Sequence, residues 1–145
     1  MGAHITSTIV IAQPVSEVFE YILNFDKNGP EWATDVVSVE KTTDGPVGPG
    51  TTFAQVQKVM GKQRHTTLKF VEIDPNRSIK AEAELGPLSP RVTLSVAQAE
   101  NGTQVTVDGD ANPRGFFKLL SPIASRQGRR MWDARLSSLK TVLEG

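Results

Sequence analysis

Apolar and polar positions alternate first with a strand period, then a helix period, then a long run of strand periods, and finally a helix period again. His4 to Ile11 is β-rich and ends at Ala12-Gln13-Pro14, where the proline suits a first helical position. In PVSEVFEYILNF the apolar Val15, Val18, Phe19, Ile22 and Leu23 fall at i, i+3, i+4, i+7 and i+8, the spacing of an amphipathic helix. Asn28-Gly29-Pro30 is expected to stop it. A short helical turn around Glu31-Trp32-Ala33 is then expected before a strand at about Val36 to Lys41, followed by the proline- and glycine-rich loop TTDGPVGPGTT.

Thr51 to Ala111 reads as an antiparallel meander of five strands, and turn chemistry supplies a register. A turn at Gly61-Lys62 sets Phe53 opposite Phe70, Gln55 opposite Leu68, Gln57 opposite Thr66 and Val59 opposite Arg64. The turn Asp74-Pro75-Asn76-Arg77 sets Phe70 opposite Ala81 and Leu68 opposite Ala83. In SIKAEAEL, Ile79, Ala81, Ala83 and Leu85 alternate with Lys80, Glu82 and Glu84, which identifies the wet face. Asn101-Gly102 sets Val96 opposite Val107, Leu94 opposite Gly109 and Val92 opposite Ala111. Together the three turns build one continuous inner face. That face is graded in polarity: Gln55, Gln57, Arg64 and Thr66 stand toward one end, and Phe53, Leu68, Phe70 and Ile79 lie deeper.

After Asn112-Pro113 the chain is helical to its end. Trp132, Leu136, Leu139 and Leu143 recur at 4, 3, 4 as one apolar stripe, while Phe117, Leu120 and Ile123 or Ala124 form a different stripe upstream. Pro122 between them predicts either a kink or a short separate helix before the long one.

Composition changes this picture only by exclusion. The 145 residues fit one domain spanning the chain, 38% hydrophobic and 22% charged, large enough to bury a core without staples. Sixteen basic residues balance sixteen acidic ones, so no overall field steers the chain to nucleic acid or to a membrane surface. No cysteine is present, which removes disulfides, thiolate metal sites and cysteine nucleophiles. The first residues carry no basic n-region or long h-region, and no segment approaches the length of a membrane-spanning helix, so the expectation is a cytoplasmic protein without an integral membrane segment. With two histidines far apart and no HExxH spacing, no metal site is expected.

The motifs Ile11-Ala12-Gln13-Pro14 with Glu17-Val18-Phe19, Pro30-Glu31-Trp32 with Val36 to Val39, Gly48-Pro49-Gly50-Thr51 before Phe53, Asn101-Gly102-Thr103 before Val105 and Val107, and Leu139-Lys140 with Leu143-Glu144 occur in an order that covers nearly the whole chain. In that order they resemble the START-like (SRPBCC, helix-grip) superfamily, in its polyketide cyclase/dehydrase and lipid-transport branch. The resemblance implies an α+β fold: a curved antiparallel sheet wrapped around a long C-terminal helix, with two short helices after the first strand. It also implies a deep pocket between sheet and helix, and no cofactor. It does not choose among cyclases, carriers, receptors and chaperone partners.

The residues themselves allow such a pocket. Ala81, Ala83, Gly109 and Ala111 are small for the space between a curved sheet and a helix, although close helix approach, or a bulge at Gly109, would also explain them. The end carrying the Met60 to Gln63, Gly86 to Pro90 and Asp110 to Phe116 connections is read as the mouth. There Gln55, Gln57, Arg64 and Thr66 would receive the polar head of an amphiphile whose apolar body meets Phe53, Leu68 and Phe70, or else simply sit in solvent. Trp32, Ala81, Ala83, Leu94, Val107, Gly109 and Phe117 complete the candidate ligand contacts. Trp32 fits a pocket border or a turn anchor equally, and Trp132 fits the core. Arg126, Arg129, Arg130 and Arg135 read as a solvated basic face. No nucleophile elbow, phosphate loop or oriented histidine appears. The leading function is therefore noncatalytic binding or carrying of a small hydrophobic or amphiphilic molecule. The alternatives are a cofactor-free polyketide cyclase or dehydratase, with Arg64 or Tyr21 as proton donor, and a protein-interaction module.

Overall fold

The computed structural model describes residues 4–59, 61–84, 89–110 and 121–145, with side chains for all of these except 59 and 121–125. In chain order these form β1 (His4–Ile11), α1 (Val15–Leu23), α2 (Phe25–Trp32), β2 (Val36–Lys41), β3 (Thr52–Val59), β4 (Lys62–Asp74), β5 (Ser78–Glu84), β6 (Arg91–Ala99), β7 (Gly102–Asp110) and α3 (Ser121–Glu144). The seven strands make one antiparallel sheet in the order β1-β7-β6-β5-β4-β3-β2. The chain's first strand thus closes against its last, while α2 packs on the β2 edge and α1 on β6 and β7. This is the expected helix-grip arrangement, with the C-terminal helix laid along the sheet.

The meander stands where the sequence puts it, but two of its registers are corrected. Phe53 pairs with Leu68, Gln55 with Thr66, Gln57 with Arg64 and Val59 with Lys62, so the first turn precedes Lys62 instead of including it. Gly61, at φ 82°, is its left-handed residue, and no neighbour lies near its missing side chain. Likewise Val96 pairs with Val105, Leu94 with Val107 and Val92 with Gly109, around a turn at Glu100-Asn101. Here the left-handed residue is Asn101, at φ 67°, and Gly102 has another duty: a Cβ there would stand 2.1 Å from the Ile11 carbonyl oxygen. Both slips are two residues, so the described side chains of these strands keep their predicted faces. The pairs Phe70 with Ala81 and Leu68 with Ala83 hold as expected. They hold because an extra residue, the outward Val71, offsets the three-residue loop that sets Asp74 opposite Ser78.

The expected stop at Asn28-Gly29-Pro30 is also corrected, since α2 runs through it with Pro30 inside. Tertiary packing overrides the local signal. Phe25 lays its ring across Gly29, whose added Cβ would sit 2.9 Å from it, and the helix is held by the burial of Phe25 and Trp32. Pro14 is the N-cap of α1, one residue before its expected place. Pro122 falls in the first turn of α3, where a missing N–H breaks no helical bond. The upstream stripe from Phe117 and the partner position Ala111 lie outside the described residues.

The core is the layer between the concave sheet face and the helices. Trp132, Leu136 and Leu139 of α3 are buried in it, and Leu143 packs at its edge. The helix follows β1 along its length: Gly128 passes Ile5, Asp133 accepts a hydrogen bond from the Ser7 hydroxyl, and Lys140 donates to the Val10 carbonyl at 2.8 Å. At its end Gln13 donates to the Leu143 carbonyl at 2.7 Å, and the Ala12 amide to Glu144 at 2.8 Å.

Candidate functional site

The inner face of β3 reads Phe53, Gln55, Gln57, and all three side chains are buried. Gln57 is held: its amide nitrogen donates to Asp35 Oδ2 at 2.7 Å and lies 3.5 Å from the Met131 sulfur of α3. Asp35, in the link between α2 and β2, also accepts two bonds from Arg135, from Nε at 2.6 Å and from Nη2 at 2.7 Å. This fork geometry gives the strong form of a carboxylate–guanidinium pair. The Arg135 guanidinium lies 4.6 Å from the centre of the Trp132 ring, and that ring is 6.3 Å from Trp32. Burial alone would raise the Asp35 pKa, but the hydrogen bonds and charge of Arg135, with help from Gln57, outweigh it and hold the carboxyl below its ordinary value.

Arg135 therefore does not belong to the solvated basic face, although Arg126, Arg129 and Arg130 are exposed as expected. A signal for this existed in the sequence. Arg135 stands at i+3 from Trp132 and four residues before Leu139, on the apolar stripe itself. Asp35 left no comparable signal.

Beside this closed cluster, three polar atoms are buried without a hydrogen-bond partner among the described residues: Gln55 Oε1, Thr66 Oγ1 and Trp32 Nε1. Gln55 and Thr66 stand opposite each other on β3 and β4. Trp32 joins the same layer through Phe25, whose ring is 6.1 Å from Trp32 and 5.9 Å from Phe53. Phe53 and Phe70 pack edge to face at 4.9 Å, forming the apolar floor below the two polar residues.

The structure distributes the remaining candidates unevenly. Leu94 and Val107 are buried in the core, and Ala81 is buried beside them. Leu68, Ala83 and Val92, toward the end read as the mouth, are half-buried. Arg64, opposite the buried Gln57 and two residues into β4, is itself exposed. Gly109 adds no open room, because Ile5 occupies it: a Cβ would lie 3.2 Å from Ile5 Cγ1, and β7 runs past without a bulge. Phe117 lies outside the described residues. Of two surface grooves, one of about 650 Å³ lies near Pro14, Asn76 and Gln98, and one of about 400 Å³ lies among Lys80, Glu82 and Arg91 and also borders the candidates Ala81 and Gly109, with Val92. Tyr21 in α1 is half-buried; burial first, and then the Glu31 carboxylate, which stands near its hydroxyl outside hydrogen-bonding geometry, push the phenol up to about 12. Among the described residues no three side chains cluster as metal ligands.

Comparison with known proteins agrees with this architecture. The family described as polyketide cyclase / dehydrase and lipid transport matches residues 2–144. The chain belongs to this family. A START superfamily protein from Mycobacterium smegmatis is similar at a TM-score of 0.85 and 12% identity, over 99% of this chain and 98% of its own. The crystal structure of Ara h 8.0201 superposes at a TM-score of 0.76 with 16% identity over 98% of both chains. DynU16, a protein of the dynemicin biosynthetic locus, does so at 0.72 with 16% identity, over 99% of this chain and 48% of that one. At such identities these structures share the fold. No curated protein matches the chain in sequence. Within this family member no helix among the described residues is long and apolar enough to cross a membrane.

Proposed function

We propose that the protein binds or carries a small hydrophobic or amphiphilic molecule, lipid or polyketide-like, in the layer between the concave sheet and α3. One observation carries this reading: Gln55 Oε1, Thr66 Oγ1 and Trp32 Nε1 are buried without a partner among the described residues, beside the apolar Phe25, Phe53 and Phe70 and outside the closed Asp35–Arg135–Gln57 cluster. An unmet buried hydrogen-bonding group costs about 1 to 3 kcal/mol, so three such groups together favour a bound ligand as their partner. The half-buried Leu68, Ala83 and Val92 supply an apolar approach from the end opposite the α3 C-terminus. The family's description supports the same class of ligand.

A second reading, a cofactor-free cyclase or dehydratase using the same space, is favoured by that description and by the biosynthetic locus of DynU16. Native mass spectrometry of the purified protein tests the first reading, which expects a small molecule to copurify or to bind from a panel of lipids, sterols and polyphenols. An empty protein that binds none of them would overturn it, and turnover of a polyketide mimic would move the conclusion to the enzyme.

A further inference from the structure

The charge and hydrogen-bond inventory of the layer limits what its ligand can be, and this step rests on the binding reading above. Arg135 is 7% exposed, and its ion pair with Asp35 is closed by two bonds, so the pair offers an incoming molecule no net charge. Arg64, the cation that the sequence offered for a head group, is exposed near the start of β4. Among the described residues, the unpartnered groups nine-tenths or more buried in this layer are all neutral. An amide oxygen such as Gln55 Oε1 only accepts, an indole N–H such as that of Trp32 only donates, and a hydroxyl such as that of Thr66 does either. The other two unpartnered atoms, Tyr21 Oη and Asp26 Oδ1, belong to half-buried side chains of α1 and α2.

We infer that the site selects an uncharged ligand presenting both a hydroxyl donor and a carbonyl acceptor, and rejects carboxylate and phosphate amphiphiles. A hydroxyl entering the layer meets the Gln55 oxygen, and a carbonyl meets the Trp32 N–H, with Thr66 able to serve either. An anion would shed its water and, among the described residues of the buried layer, find no unpaired cation, a penalty that neutral donors alone do not repay.

The test is calorimetric titration of the full chain at neutral pH with three naphthalenes of equal size. The first is a methyl ketone bearing a hydroxyl on the distal ring, the second the same ketone without the hydroxyl, and the third the carboxylate with the hydroxyl retained. The hydroxy ketone is expected to bind about tenfold tighter than the plain ketone and about a hundredfold tighter than the carboxylate. Gln55→Leu should remove the hydroxyl's advantage and leave the plain ketone within about twofold. Trp32→Phe should weaken both ketones, and Arg64→Met should change none of the three affinities. A carboxylate that binds as tightly as the hydroxy ketone overturns the inference while preserving ligand binding. So does a Gln55→Leu protein that still prefers the hydroxyl. If none of the three binds, this inference fails, and the panel of lipids, sterols and polyphenols separately decides the binding reading.

Discussion

Asp35 and Arg135 place opposite charges in a layer that otherwise excludes them, and each is tolerable only because the other is there. Asp35→Asn leaves the guanidinium buried without its counter-ion, so it should cost about 3 to 5 kcal/mol at neutral pH, read by denaturant unfolding. The pH dependence follows from the lowered Asp35 pKa. A carboxyl depressed in the folded state contributes stability fully above its unfolded value, about 3.9, and that contribution is lost as pH falls through the lower folded value. The gap between wild type and Asp35→Asn should therefore narrow in acid, and a gap independent of pH would mean that the pair is not ionised as a unit. At this scale the sequence was half legible. Gln55 and Gln57 alternate identically on β3, yet one is bonded to Asp35 and the other has no partner among the described residues. Only the position of a residue from a distant link separates them.

Both corrected hairpins turn on what a glycine is for. Gly61 supplies a left-handed backbone in open space, whereas Gly102 supplies absence, letting the end of β1 cross at the start of β7. The two substitutions by alanine should accordingly differ. Gly61→Ala carries only the left-handed penalty, about 1 to 2 kcal/mol. Gly102→Ala drives a methyl into backbone and should cost about 3 kcal/mol or more, since backbone yields less than a side chain. Thermal unfolding of the pair checks the assignment, and equal losses would contradict it. A turn signal marks the neighbourhood of a hairpin but not its loop residues, because the same dipeptide satisfies two alternatives of equal parity. The helix α2 was obscured for a similar reason: Gly29-Pro30 is a local stop, and only the docking of Phe25 and Trp32 outweighs it.

Across the whole molecule the helix grip is asymmetric. α3 lies along β1 and is fastened at its C-terminal end by Gln13, Lys140 and Glu144, so that end of the layer is closed. At the other end the inner face passes from buried Phe70 and Ile79 to half-buried Leu68 and Ala83. Ala83→Leu measures what this asymmetry leaves between the layers. If the space opposite Leu68 is open, the added carbons gain up to about 25 cal/mol for each Å² of apolar surface they bury, so the melting temperature holds or rises while ligand binding falls. If the layers are already in contact there, overpacking should cost about 1 to 3 kcal/mol, and a clear drop in melting temperature without ligand would remove the pocket at this position.

The sequence by itself determined the order of elements, the faces of the described meander side chains and the apolar stripe of the last helix. Each of these follows from a local period, 2 for a strand and about 3.6 for a helix, that survives whatever the distant chain does. The tertiary structure alone decided which hairpin residues turn, that Asn28-Gly29-Pro30 continues a helix, that Arg135 goes inward to Asp35, and that Gly109 is filled by Ile5. Two of those outcomes depend on groups separated by a hundred residues or more meeting in one layer. No period encodes such a meeting, because its free energy comes from excluding water between partners that the sequence does not place side by side.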